Sequence, residues 1–284
     1  LTFALPQPWP TNPWPTRFRT VRASPPGTLD PGSAFVTVQS ATIGGRGDLG
    51  IHVPQAVALP EGAPIVVLLH GVYGSFWNWF LAGGAHRALD RLVEAGSVAP
   101  MVLVTPSDGM SGEGTAYLAH PDRDYERWII DDVVDVVREF VDAVTEASPV
   151  FLGGNSMGGF GAARLGLRHA DRVAGIAMHS AITHLDQLAQ FTTGDIATEA
   201  GLDPVERDLL TAVDRCRSTP PPIYLDCGAS DPLAGANEMF HQELTRRGVG
   251  HEAHTFAGAH DWEAWSSRIE HSLVFFDRLA GGSA

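Results

Sequence analysis

The chain has 284 residues, 44% hydrophobic and 18% charged with mean hydropathy near zero, a composition able to hide about three quarters of its unfolded surface in one large core. Acidic residues outnumber basic ones 33 to 19, and the resulting net charge of −14 repels phosphate backbones and anionic lipid, so no nucleic-acid partner is expected. All 19 basic residues are Arg; without lysine there is no Schiff-base chemistry, no lysine-anchored pyridoxal phosphate and no Walker-type phosphate site.

The elements begin with a proline-rich stretch. Residues 1–31 carry eight of the 20 prolines, with Trp9 and Trp14 among them, and predict an extended, non-helical arm that lays its tryptophans on its own domain. From residue 32 a single domain is expected, in which short apolar strands alternate with longer amphipathic stretches. That rhythm predicts an α/β fold with a mostly parallel central sheet and helices on both faces. The candidate strands are Ala34–Val38, Leu49–Val53, Ile65–Leu69, Met101–Thr105, Val150–Leu152, Gly175–Met178, Ile223–Asp226 and Glu252–Phe256. Arg46-Gly47-Asp48 spells an adhesion tripeptide, but its Gly-rich setting reads as a turn. Ile129, Ile130, Val133, Val134, Val137, Phe140, Val141 and Val144 recur at helical spacing opposite Asp131, Asp132, Asp135 and Arg138, predicting one long amphipathic helix. Helices are also expected over 238–247 and 262–279. The segment at about 183–214 interrupts the rhythm, and in an α/β sheet an insertion after a strand carboxyl end overhangs the ligand crevice, so a small lid is expected there.

No apolar run approaches the roughly 20 residues of a membrane span, so no membrane-crossing segment is expected. The chain opens on Leu1, which suggests removal of an upstream segment; a cytoplasmic location is expected, with secretion after signal removal as the alternative. Cys216 and Cys227 are too few for a disulfide framework and read as two buried thiols. Oligomeric state is left open, a homodimer included.

Gly154-Asn155-Ser156-Met157-Gly158 fits G-x-S-x-G. The bare pattern is a weak signal, but it follows the apolar run Val150–Leu152 and precedes a small-residue stretch from Gly158 to Ala163, the strand, turn and helix order that a nucleophile elbow needs. A serine hydroxyl attacks only when a base removes its proton and an acid fixes that base. Asp231 stands just past the strand 223–226 and is the expected acid, with Asp226 as runner-up. Of the five histidines beyond residue 200, His241 and His271 fall on expected helices, His254 within a strand and His251 just before it. Only His260, in the loop after the last strand, stands where a base is required. The strand Ile65–Leu69 runs into His70-Gly71, so the backbone amides of Val72 and Met157 are the expected oxyanion donors.

With these motifs in place the chain resembles the esterase D-related branch of the α/β-hydrolases, which includes tributyrin, acetyl xylan and feruloyl esterases, S-formylglutathione hydrolases and antigen 85 mycolyltransferases. The matching stretches are 68–74, 154–175, 225–236 and 256–265, and the resemblance extends over most of residues 60–280. It implies an α/β-hydrolase fold, the nucleophile at Ser156, acid at Asp231, base at His260, donors at Val72 and Met157, and no cofactor or metal. The cysteine-bearing loop of S-formylglutathione hydrolases is missing after Gly71, which argues against that narrow activity, and the elbow surroundings differ from those of mycolyltransferases.

The expected activity is hydrolysis of a small-molecule ester, short-chain or aromatic in its acyl part, through an acyl-enzyme; an acyltransferase or thioesterase on the same residues is the enzymatic alternative, and a non-catalytic binding protein the distant one. Tyr73, Phe76, Trp77, Trp79 and Phe80 crowd the loop beside the expected oxyanion donors, and Trp262 and Trp265 follow His260. Half are expected in the core. Tyr73, Trp77 and Trp262 are taken as substrate contacts. His70 and Asn155 are expected to support the catalytic groups.

Overall fold

The computed structural model describes residues 18–24, 27–109, 112–194, 196 and 200–282. Nine strands form one sheet: β1 (Phe18–Ala23), β2 (Ser33–Ser40), β3 (Gly45–His52), β4 (Ile65–Leu69), β5 (Val102–Pro106), β8 (Val150–Asn155), β9 (Val173–His179), β10 (Ile223–Gly228) and β11 (His251–Phe256), with β6 (Ala119–His120) and β7 (Arg123–Asp124) as a separate ribbon. The sheet order is β1-β2-β3-β5-β4-β8-β9-β10-β11. The first four of these neighbours pair antiparallel and all the rest parallel, an α/β-hydrolase architecture.

Every residue of β4, β5, β8 and β10 is buried, because a parallel strand covered by helices on both faces has no solvated side. Successive side chains divide between two cores. Ile65, Val67 and Leu69 of β4 join one core, with α4 (Val134–Phe140), α5 (Met157–Arg168) and α7 (Ala234–Arg247). Val66 and Leu68 join the other, with α2 (Ala85–Glu94) and α8 (Trp262–Leu279). Shorter helices are α1 (Asn78–Leu81), α3 (Tyr125–Arg127) and α6 (Leu209–Asp214).

Most expected strands fall within the observed ones, and three of the regions read from the sequence differ. Arg46-Gly47-Asp48 lies inside β3 rather than in a turn; the Trp128 ring covers Gly47 so closely that a Cβ there would stand 2.3 Å from it. The single helix expected across 129–144 is broken. Its first turns widen into a π-helical stretch from Trp128 to Val133, α4 follows, and Val141 is already extended. The extra residue in the wide turn rotates the register, carrying Asp132 from the expected polar side into the core, where it accepts a hydrogen bond from the Ser40 hydroxyl. The proline-rich arm, with Trp9 and Trp14, lies outside the described residues up to 17; within 18–23 the chain is extended as expected but is also the first strand of the sheet, paired with β2.

Glu126 anchors the far end of α5. It accepts from Arg164 at 2.8 Å, Arg168 at 3.1 Å and His169 at 2.9 Å, and Arg164 is buried. Burial alone would raise the Glu126 pKa, but the His169 hydrogen bond and the Arg164 charge outweigh it and hold the group at about 2. A carboxylate depressed on folding contributes stability that is complete above its ordinary 4.5 and is lost as pH falls toward 2. Glu126→Ala leaves Arg164 buried with only Glu206, 3.5 Å away, and is expected to cost about 3 kcal/mol at neutral pH, the gap narrowing in acid, as measured by urea unfolding at pH 7 and pH 3.

Candidate active site

The elbow sits where β8 ends. Ser156 has φ 54° and ψ −120°, a left-handed conformation that a residue with a Cβ adopts only when its surroundings enforce it. They do so through hydrogen bonds: the Ser156 amide donates to the His179 carbonyl at 2.9 Å, and its carbonyl accepts from Phe160 and Ile182. The flanking glycines have no alternative. A Cβ on Gly154 would stand 2.5 Å from the Gly158 backbone, and one on Gly158 would stand 2.2 Å from the Leu69 carbonyl oxygen. This close approach seats α5 against β4.

His260 and Asp231 come from the loops after β11 and β10. These loops are laced together, Ala229 donating to Phe256 at 2.7 Å and Ser230 to Gly258 at 2.9 Å. His260 Nε2 lies 3.0 Å from Ser156 Oγ, and His260 Nδ1 lies 2.9 Å from Asp231 Oδ2. With the proton on Nδ1, the imidazole donates to the carboxylate and accepts from the serine hydroxyl. Burial pushes the Asp231 pKa up, but the His260 hydrogen bond and the Leu233 amide, which donates at 2.8 Å, bring it below its ordinary value. Asp231 is therefore a carboxylate at neutral pH.

Asp226 belongs to a different pair. It accepts from His179 Nδ1 at 2.9 Å and from the Tyr224 hydroxyl at 2.8 Å, while His179 Nε2 lies 3.2 Å from Ser272 Oγ in α8. This buried chain lies directly beneath the elbow, since the His179 carbonyl is the acceptor of the Ser156 amide.

Met157 is the first residue of α5, so its N–H has no carbonyl one turn behind it. Val72 follows Gly71 at the end of β4. The turn is organised by His70, whose Nδ1 donates to the Gly71 carbonyl at 2.8 Å while Nε2 accepts from the Asp108 amide at 3.3 Å. Asn155 is buried against the same turn, its side-chain nitrogen 3.2 Å from where a Gly71 Cβ would stand.

The aromatic residues divide. Trp79 is core, its indole donating to the Leu69 carbonyl at 2.9 Å, and Phe76 and Phe80 pack edge-on against Phe35. Tyr73 and Trp77 are exposed, although the Tyr73 hydroxyl donates to Glu113 at 2.6 Å. Trp262 is half-buried and edge-on to Trp79 and Trp265. Trp265 meets the His260 ring edge-on at 5.0 Å. Phe191, which the sequence reading did not single out, stacks on His260 with ring centroids 4.8 Å apart and planes 18° from parallel. It lies within the 183–214 segment, an excursion whose position over the strand ends was the only signal available for it.

Among the described residues no group of three His, Cys, Asp or Glu side chains could hold a metal ion, and no helix is long and apolar enough to cross a membrane. Cys227 is buried, and burial pushes its thiol up to about 12. Cys216, expected to be buried, is only partly so, because the turn after α6 leaves it near the surface.

Residues 40–276 match the model of the Esterase family, described as "Putative esterase". The acetyl esterase of Caldicellulosiruptor saccharolyticus is 24% identical over 238 residues, spanning 78% of this chain and 85% of its own. Among solved structures, a ferulic acid esterase superposes with a TM-score of 0.73 at 23% identity over 87% of this chain and 98% of its own. The S-formylglutathione hydrolase FrmB of Staphylococcus aureus does so with a TM-score of 0.71 at 19% identity, over 90% and 98%. The chain belongs to the Esterase family of α/β-hydrolase-fold carboxylic ester hydrolases.

Proposed function

We propose that the protein is a serine carboxylesterase that hydrolyses short-chain or aromatic acyl esters through an acyl-enzyme on Ser156. The observation that carries this reading is the hydrogen-bonded line from Ser156 Oγ through His260 to Asp231, 3.0 Å and 2.9 Å, at the tip of a strained elbow. As Ser156 Oγ attacks the ester carbonyl carbon, its proton passes to His260 Nε2. The Asp231 carboxylate stabilises the imidazolium without taking the proton. The oxyanion that forms is met by the amides of Val72 and Met157. Collapse of this intermediate breaks the bond to the alcohol oxygen, which leaves with the proton from His260 and a serine-bound acyl ester behind it. Water then attacks the acyl carbon with His260 as base, and the same steps in reverse order of groups release the acid and restore the serine.

The acyl preference rests on two supports. A relative over most of the chain is an acetyl esterase, and Phe191, standing on the face of His260, together with exposed Tyr73 and Trp77 offers an aromatic surface to a flat or short acyl group. Trp262, edge-on to the Trp265 ring that meets His260, is the further substrate contact in this reading.

Ser156→Ala is expected to lower kcat/KM for p-nitrophenyl acetate by about 10⁴-fold or more, with unchanged circular dichroism; hydrolysis at the parent rate would remove Ser156 from the mechanism. The base works only as neutral imidazole, so activity should fall in acid, where Asp231, held below its ordinary value, is still a carboxylate. A rate that stays flat down to about pH 4 contradicts a histidine base. Incubation with EDTA should leave the rate unchanged, and across p-nitrophenyl esters acetate or butyrate should be preferred to palmitate.

A further inference from the structure

One surface carboxylate gathers far more donors than its position requires. Glu113 Oε1 accepts from the Tyr73 hydroxyl at 2.6 Å, the Thr193 amide at 2.9 Å and the Thr193 hydroxyl at 3.0 Å, while Oε2 accepts from the amides of Thr193 at 2.9 Å and Gly194 at 2.7 Å. Its main-chain carbonyl accepts from the Tyr73 amide at 3.0 Å. Four donor groups on one carboxylate nearly fill its acceptor capacity, and each bond is charge-assisted. The hydrogen bond from Tyr73 and the amides of Thr193 and Gly194 hold the group at about 2, far below its ordinary 4.5, so it stays ionised wherever an esterase works.

What these donors belong to gives the contact its meaning. Tyr73 is the residue after Val72 and has φ 56°, a conformation that needs enforcement in a non-glycine residue. Thr193 is two residues beyond Phe191, the ring that covers His260. Gly114, next to Glu113, has φ 152° and lies so close to Met157 that a Cβ would stand 2.6 Å from the Met157 sulfur. Thr115 is fixed in turn by Asp108, its amide donating at 2.8 Å, and Asp108 is the partner of His70. The Glu113 segment thus touches Met157 and the residue after Val72, and binds the chain two and three residues beyond the Phe191 ring that covers the proposed base.

We propose that Glu113 is a positioning residue for ester hydrolysis: its carboxylate clasps the turn after β4 to the segment after β9, fixing together the Val72 amide and the Phe191 ring. This rests on the esterase reading above. The clasp acts on the bound transition state and not on substrate affinity, because it sets the direction of a donor that matters most when charge develops on the carbonyl oxygen.

The test measures kcat per active site, titrated with a fluorophosphonate, on p-nitrophenyl acetate, together with amide hydrogen exchange. Glu113→Ala should lower kcat about tenfold or more with KM changed by less than about threefold, and should speed exchange at Tyr73, Thr193 and Gly194 together. Tyr73→Phe and Thr193→Val should each lower kcat in the parent but add nothing in the Glu113→Ala background, since each acts through the same carboxylate. Multiplicative losses in that background, or a parent-like kcat per titrated serine in Glu113→Ala, would overturn the clasp. The exchange readout needs no turnover. A parent inactive on every ester would sink the esterase reading, whereas unaltered exchange at the two segments would sink the clasp whatever the activity.

Discussion

Ser156 cannot relax. Its backbone lies in a region that its own side chain disfavours, and it stays there because the His179 carbonyl, the Phe160 and Ile182 amides and the near-contact of Gly158 with Leu69 leave the chain no other path. The cost of this strain, of order 1–3 kcal/mol, is spread over a sheet whose central strands are buried on both faces. The serine is consequently presented above the strand ends without a flexible loop, and everything proposed for the site depends on that fixed point: the line to His260, the direction of the Met157 amide and the contact with Gly114.

Around the elbow, polar groups are arranged in pairs whose members have separate tasks. His260 with Asp231 faces the serine hydroxyl, and His179 with Asp226 lies beneath it. Both acids come from β10 or the loop after it, five positions apart, yet one terminates at the site and the other ties the sheet to Ser272 of α8. Position in the strand decides between them: Asp226 is still within β10 and points between the layers, while Asp231 is past the strand end, where the chain has turned back toward His260. Glu126 works similarly at the opposite end of α5, so the helix that starts at the serine is held at both ends by charged or strained anchors.

Much of the scaffold was legible in the sequence because it rests on local rules. Ile65–Leu69 and 262–279 are matched residue for residue, since a continuous aliphatic run and a capped amphipathic stretch each have one good solution. The elbow, Asp231 and His260 were legible from motif and order along the chain. What was not legible depends on tertiary contact. The π-helical turn at Trp128–Val133 leaves the apolar spacing helical while moving Asp132 to the inside. Gly47 looks like a turn residue until the Trp128 ring is laid over it. β1 hides in a proline-rich stretch because its partner, β2, supplies the pairing that the residues themselves do not advertise. Phe191 and Glu113 have no periodicity or motif at all; their partners lie 69 and 40 residues away or more, at His260 and Tyr73.

The separation along the chain has a consequence for synthesis. Ser156 precedes His260 by 104 residues, and Ser272, which steadies His179 under the elbow, comes later still. At about 5–20 residues per second, a ribosome spends roughly 5–20 s between making the serine and making its proposed base. Throughout that interval the hydroxyl lacks its proposed proton acceptor. On the proposed mechanism, reactivity therefore arrives only once the loop that carries His260 has been made.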